Sequence, residues 1–271
     1  MFQKIKSFFA AAQPTTPTVP TRIGPTISMV NNSTVLSDAD VAKTISAFQT
    51  QVDRDFAPVW ETTATLKFVP KGQQPGPQDW IIYLLDNSDQ AGALGYHDLT
   101  PAGNPIAKVF IKDDQKYGLS WTVTVSHELL EMLVDPYISN CAFIQKTNTT
   151  GRLYAYEVCD PIEDDSFGYK IGDVLVSNFI YPAWFESFRR SGKFDHMSVL
   201  TAPLSLAKGG YMSIFEVGSK SKGWVQITPP QGPGKRLLAK GPESRKAKRP
   251  AKSGGRGGKK IVLGSAGGAA G

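Results

Sequence analysis

The sequence predicts an α+β domain: a small mixed sheet, one central helix that carries the chemistry, and disordered tails. Three observations lead there. Of 271 residues, 41% are hydrophobic, enough for one substantial core. Helix-period and strand-period segments follow one another only between about residues 27 and 230. At both ends the composition shifts to residues that cannot build a core. The boundaries read as an N-terminal segment with a Pro/Thr-rich linker at 1–26, the α+β domain at 27–230, and a basic Gly-rich tail at 231–271.

Taken in chain order, the opening MFQKIKSFFAAAQP imitates a secretion signal, with Lys4 and Lys6 ahead of Phe8 to Ala12. Its apolar run is too short for the core of such a signal, so no conventional signal peptide is read. No run of about eighteen apolar residues occurs, so no membrane span is expected. These readings point to a cytoplasmic protein. QPTTPTVPTRIGPT, residues 13–26, holds four prolines and five threonines without an apolar period, which suits an extended linker.

Ser37 followed by Asp40 has the form of a capping box. It opens a helix with Val41, Ile45, Phe48, Val52 and Phe56 on one stripe, which Pro58 should end or bend. Three strand-like runs follow: ATLKFV (64–69), WIIYLLD (80–86) and IAKVFIK (106–112), separated by Gly/Pro-rich breaks. The second is too uniformly apolar for an edge and should lie mid-sheet. Next comes a helix, WTVTVSHELLEMLVDP (121–136), then CAFIQKTNTTGRLYAYEVCDP, read as two strands around Asn148–Gly151 with Glu157 and Asp160 on the second.

The helix at 121–136 carries His127 and Glu131 four residues apart, on one face and about 6 Å apart along the axis. Both can converge on one ion, and Glu128 points about 100° around, within reach of a water held there. Asp135 is about 12 Å from His127 along the axis, too far to share an ion unless the helix breaks. Thr124, His127, Glu128, Glu131 and Asp135 could equally be the wet stripe of an amphipathic helix whose dry face is Val125, Leu129, Met132 and Leu133. Charge argues for the ion. No Lys or Arg occurs between Lys116 and Lys146, and Tyr117 to Tyr169 holds eight acids against two bases. Asp135 also sits at the helix C-terminus, where the macrodipole disfavours an anion. A catalytic zinc site needs a third protein ligand and an open position, and the hairpin acids are the nearest candidates.

SHELLE followed about two dozen residues later by EVCD resembles the gluzincin branch of the zincin metallopeptidases. The resemblance implies a zincin-like fold and hydrolysis of a peptide or protein substrate by metal-activated water. It implies His127 as first metal ligand, Glu128 as general base, Glu157 as third ligand and Asp160 as the acid that orients a ligand histidine. Glu131 stands where the family has its second histidine. One His with two Glu makes a harder, more anionic site that accepts Mn2+ or Fe2+ besides Zn2+ and leaves bound water less acidic. The alternative class is therefore a catalytically inactive zincin-like structural or binding protein. VSNFIYPAWF, with FDHM and GGY, is also similar to strings in uncharacterised phage and prophage proteins, which implies a virion component as one form of that alternative.

The remaining candidates carry less. A turn centred on Thr150 would set Cys141 opposite Cys159, as a disulfide or as two buried thiols. His196 is either an oxyanion donor or, more simply, a packed histidine. His97 lies near a loop and reads as structural, and Glu163, Asp164 and Asp165 read as a solvated turn. In residues 235–271, eleven Lys or Arg face one acid, Glu243, a formal +10. The whole chain is +6, so residues 1–234 carry −4 and the basic character belongs to the tail. That tail offers phosphate contacts to nucleic acid or another polyanion, without aromatics for base stacking, or it is a solubilising segment.

Overall fold

The computed structural model describes residues 24–90, 92–218 and 223–229. The predicted linker up to residue 23 and the basic tail from 230 on lie outside them. The described chain is mixed α+β.

Its main sheet has five strands: β1 (Thr26–Asn31), β2 (Thr65–Val69), β3 (Trp80–Leu85), β4 (Gly95–Leu99) and β5 (Pro105–Phe110), in the order β2-β1-β3-β5-β4. The apolar run WIIYLL occupies the middle as expected, paired in parallel with β1 and β5. β2 joins β1 in parallel, and only β4, at the edge, runs antiparallel to its neighbour β5. The sequence reading did not include β1 or β4. TISMVN was obscured by the Pro/Thr-rich stretch before it, although its burial is nearly complete. GYHDL is a short strand between turns. The third expected strand stops at Phe110, where Ile111–Lys116 winds into α3.

The first helix begins where its cap requires. The Ser37 hydroxyl oxygen accepts from the Asp40 amide at 3.1 Å, and α1 spans Asp38–Thr50. It continues through a π-helical segment, Gln51–Phe56, into the short α2 (Ala57–Trp60). Thus the chain winds past Pro58 and ends at Glu61, whose φ of 52° is left-handed. Val41, Phe48, Val52 and Phe56 are all buried.

The motif helix is α4 (Trp121–Val134), packed against β4 and β5 on one side and β9 (Val174–Val176) on the other. β9 forms a hairpin with β8 (Tyr169–Ile171). Side chains tie the helix to that second layer: Thr122 Oγ1 donates to the Leu175 carbonyl at 2.6 Å, and the Ser177 amide donates to Ser126 Oγ at 2.6 Å. A second sheet, ordered β11-β10-β7-β6, is antiparallel throughout and consists of β6 (Cys141–Gln145), β7 (Gly151–Ala155), β10 (Met212–Val217) and β11 (Trp224–Ile227). The expected hairpin is β6–β7, but β7 ends at Ala155. Glu157 therefore lies beyond the strand, and Asp160 opens a 3-10 turn, Asp160–Ile162. The register sets Ala155 opposite Cys141, so Cys159 does not face it, and both cysteines are thiols.

Among the described residues, no helix is long and apolar enough to cross a membrane.

Candidate metal centre

Helix α4 has no wet face. Thr124, His127, Glu128, Glu131 and Asp135 are as buried as the leucines opposite them, each at 0–1% exposure. The polar stripe is covered by β4 on one flank and by the loop after β7 on the other. The amphipathic-surface reading therefore does not describe this helix.

Asp135 separates from the rest. It follows the last turn of α4, and its Oδ1 accepts the amides of Ser139 and Asn140 at 2.7 and 2.8 Å. Its role is to shape the turn into β6.

The other three acids and bases converge with residues from two further places. His127 Nε2 lies 3.2 Å from Glu131 Oε1 and 3.2 Å from Asp160 Oδ1. Ligands about 109° apart at about 2.0 Å from a zinc ion stand about 3.3 Å from each other, so each pair taken singly has the spacing of two ligands on one ion. The Cys159 amide donates to Glu131 Oε1 at 3.1 Å and fixes that carboxylate. His127 and Glu131 group with Cys159, and His127 and Asp160 group with Glu163, in sets whose ligand atoms all lie within 4.8 Å. Glu163 enters because side chains three apart in a 3-10 turn eclipse, so Asp160 and Glu163 face the same way. The expectation of a solvated turn at 163–165 is corrected for Glu163, which is buried. Asp164 caps a following turn through the Ser166 amide, and Asp165 accepts the Ser120 amide at 2.7 Å.

Glu157 sits elsewhere in the cluster. Its Oε2 lies 3.9 Å from His97 Nε2, while His97 Nδ1 lies 3.7 Å from Glu128 Oε2 and 3.8 Å from Glu131 Oε2. His97, Glu131 and Glu157 form a third group within 4.8 Å. Thus His127 and His97 both meet Glu131, but through its opposite oxygens. His97, read from the sequence as structural and near a loop, belongs to a buried strand and to this cluster. Gly95 permits the approach: a Cβ there would stand 2.8 Å from Thr124 Cγ2 and 2.9 Å from Glu128 Oε1.

His196 stays outside these groups. Its ring stacks on Phe179 at 5.1 Å and lies 4.7 Å from that of Tyr169, and burial pushes its pKa down. It is a packed, neutral-leaning imidazole, with Tyr181 Oη 3.4 Å from Nδ1.

The signals for the missed members differ. Glu163 could be found from its spacing of three from Asp160. Cys159 follows from its place between Glu157 and Asp160. His97 had no local signal, since β4 meets α4 only through the tertiary fold.

Five carboxyl groups (Glu128, Glu131, Glu157, Asp160 and Glu163) thus share one interior region with His97 and His127. Burying an ion costs several kcal/mol unless opposite charge compensates it. Two imidazolium ions could not balance five carboxylates, so the cluster carries extra protons or a cation. The donor set of imidazole nitrogen, carboxylate oxygen and one thiol suits Zn2+, with Mn2+ and Fe2+ acceptable to its harder members. A buried His/carboxylate cluster on a central helix defines the class of site here. No family model, no curated protein and no solved structure matches the chain.

Proposed function

We propose that this chain is a divalent-metal-dependent hydrolase of the peptidase type, zincin-like in arrangement, with His127, Glu131 and Cys159 as metal ligands and Glu128 as general base. One observation carries the reading: His127 Nε2 lies 3.2 Å from Glu131 Oε1, and one atom each of His127, Glu131 and Cys159 lie within 4.8 Å of one another. Asp160, also 3.2 Å from that nitrogen, groups instead with His127 and Glu163, and Glu157 groups with His97 and Glu131. A divalent ion held there would polarise a scissile carbonyl and acidify a water. Glu128, next to His127 in the chain, would accept the proton of that water and deliver it to the leaving amine. His97 Nδ1, 3.7 Å from Glu128 Oε2, would hold that carboxylate in place.

A second reading has its own support. No side chain of the cluster exceeds 7% exposure, which suits an ion that ties α4 to the loop after β7 without turnover, as in a structural or binding protein. Metal analysis of the full chain, with peptide hydrolysis by wild type and Glu128→Gln, separates the two. The peptidase reading expects bound metal in both proteins and hydrolysis lower by about 10²-fold or more in the variant. Bound metal with no hydrolysis in either supports the structural reading, and no bound metal in wild type overturns both.

A further inference from the structure

The cluster has more donors than one ion can use, and their arrangement is specific. The two oxygens of the Glu131 carboxylate face different imidazoles: Oε1 lies 3.2 Å from His127 Nε2, and Oε2 lies 3.8 Å from His97 Nδ1. A carboxylate presented this way, with one oxygen to each side, can bridge two cations. On the far side, Glu157 Oε2 closes the second group at 3.9 Å from His97 Nε2.

The geometry points to a second cation position, held by His97, Glu131 and Glu157, so that Glu131 bridges a two-ion centre; this rests on the reading of His127, Glu131 and Cys159 as the first position. The two positions differ in spacing. The 3.2 Å between His127 Nε2 and Glu131 Oε1 matches two ligands of a tetrahedral ion. The second group is looser: one atom each of His97, Glu131 and Glu157 lie within 4.8 Å of one another. Imidazole with two carboxylates suits Mn2+ or Fe2+ as well as Zn2+.

Charge favours the pair. One divalent ion leaves most of the five buried carboxyl groups uncompensated, whereas two come close to balancing them. Bridged ions about 3.5–4 Å apart are a known device for hydrolysis, stabilising both the attacking and the leaving group. The edge strand β4 would then supply a ligand to the centre, in addition to covering it, and Gly95 is the residue that lets it come close enough.

The experiment uses the full chain, stripped of metal by a chelator, dialysed and titrated with Mn2+ alone. Bound manganese per chain is measured by elemental analysis, and coupling between ions by electron paramagnetic resonance. The proposal expects two Mn2+ per chain with a spin-coupled signal. His97→Ala should fall to one Mn2+ with an uncoupled signal. Glu157→Gln, a near-isosteric change, should weaken the second ion at least tenfold, and it keeps the test open should the histidine variant not fold. A wild-type ratio of one, unchanged by Glu157→Gln, overturns the second position and leaves the proposed function standing. A ratio of one that His97→Ala reduces to zero overturns the two-ion centre too, because a single ion then spans both groups. A ratio of zero for Mn2+, with none for Zn2+ in a parallel titration, overturns this proposal and the proposed function together.

Discussion

Asp195 and Glu131 are both completely buried carboxylates, held in different ways. Asp195 lies in a loop that folds back on itself. Its Oδ1 accepts from Asn178 Nδ2 at 2.8 Å and from the Val199 amide at 3.1 Å, and its Oδ2 accepts the Leu200 amide at 2.7 Å. One charge is met by three neutral donors. Glu131 accepts the Cys159 amide, then faces two imidazoles in the company of four other carboxyl groups. Neutral donors can satisfy an isolated buried anion, since charge-assisted hydrogen bonds are strong. They do not remove the mutual repulsion of carboxylates gathered in one interior, which calls for protons or cations. The first site is a structural anchor, and the second groups donors that could hold an ion.

The contrast makes its largest prediction at the anchor. Asp195→Ala leaves the Asn178 amide and two backbone N–H groups buried without their acceptor, and should cost about 3 kcal/mol of stability in urea unfolding. Asp195→Asn keeps one acceptor and should cost less. A loss below about 1 kcal/mol for the alanine variant would mean that water or rearrangement replaces the carboxylate, and the contrast would weaken.

Gly95→Ala comes next. The added methyl group would press on Thr124 and Glu128, so a loss of about 1–3 kcal/mol is expected, together with weaker metal retention. Unchanged stability would show that β4 does not approach α4 this closely.

Glu131→Gln should reverse sign with conditions. In chelated protein it removes one charge from an anionic group and should leave stability within about 1 kcal/mol of wild type, or above it. With Zn2+ present it should fall below wild type, because a ligand is lost. Destabilisation of equal size in both conditions would place Glu131 with the structural anchors.

The smallest effect concerns acid. Asp86 has its pKa held below the usual carboxylate range, first by the Thr34 hydroxyl, against some desolvation, and then by Lys112 and Ser33. A carboxylate depressed on folding contributes stability above its unfolded pKa and loses it as pH falls through the folded one. Asp86→Asn should therefore flatten the decline of stability below about pH 4. Scanning calorimetry from pH 6 to 3 checks this; equal slopes in both proteins would remove the role.

Much of this was legible in the sequence, for physical reasons. The i,i+4 pair His127–Glu131 is a local fact of helix geometry, and the apolar run 80–85 marks a mid-sheet strand with Ile82 and Leu84 buried. The capping of α1 by Ser37 is equally local. The rest depends on chain crossings that no window can contain. His97 reaches the cluster because β4 pairs with β5 beneath α4, and the sequence between them carries no trace of that contact. The amphipathic pattern of α4 could not tell water from a second layer, since a polar stripe looks the same against either. The hairpin was placed correctly around its turn, but the end of β7 depended on where the chain enters β6, at the turn that Asp135 shapes.

The central claim, that the α4 cluster holds a cation, is tested most directly by the melting curve of the wild-type chain with chelator, and again with Zn2+ or Mn2+ restored. An ion that binds the folded state at about 100 times its Kd adds about 2.7 kcal/mol, or roughly 5–10 °C for a domain of this size. The account predicts a drop of that order with chelator, full recovery on adding metal, and no metal response in His127→Ala. Identical curves with chelator and with metal, in a wild-type protein that purifies free of metal, would contradict it.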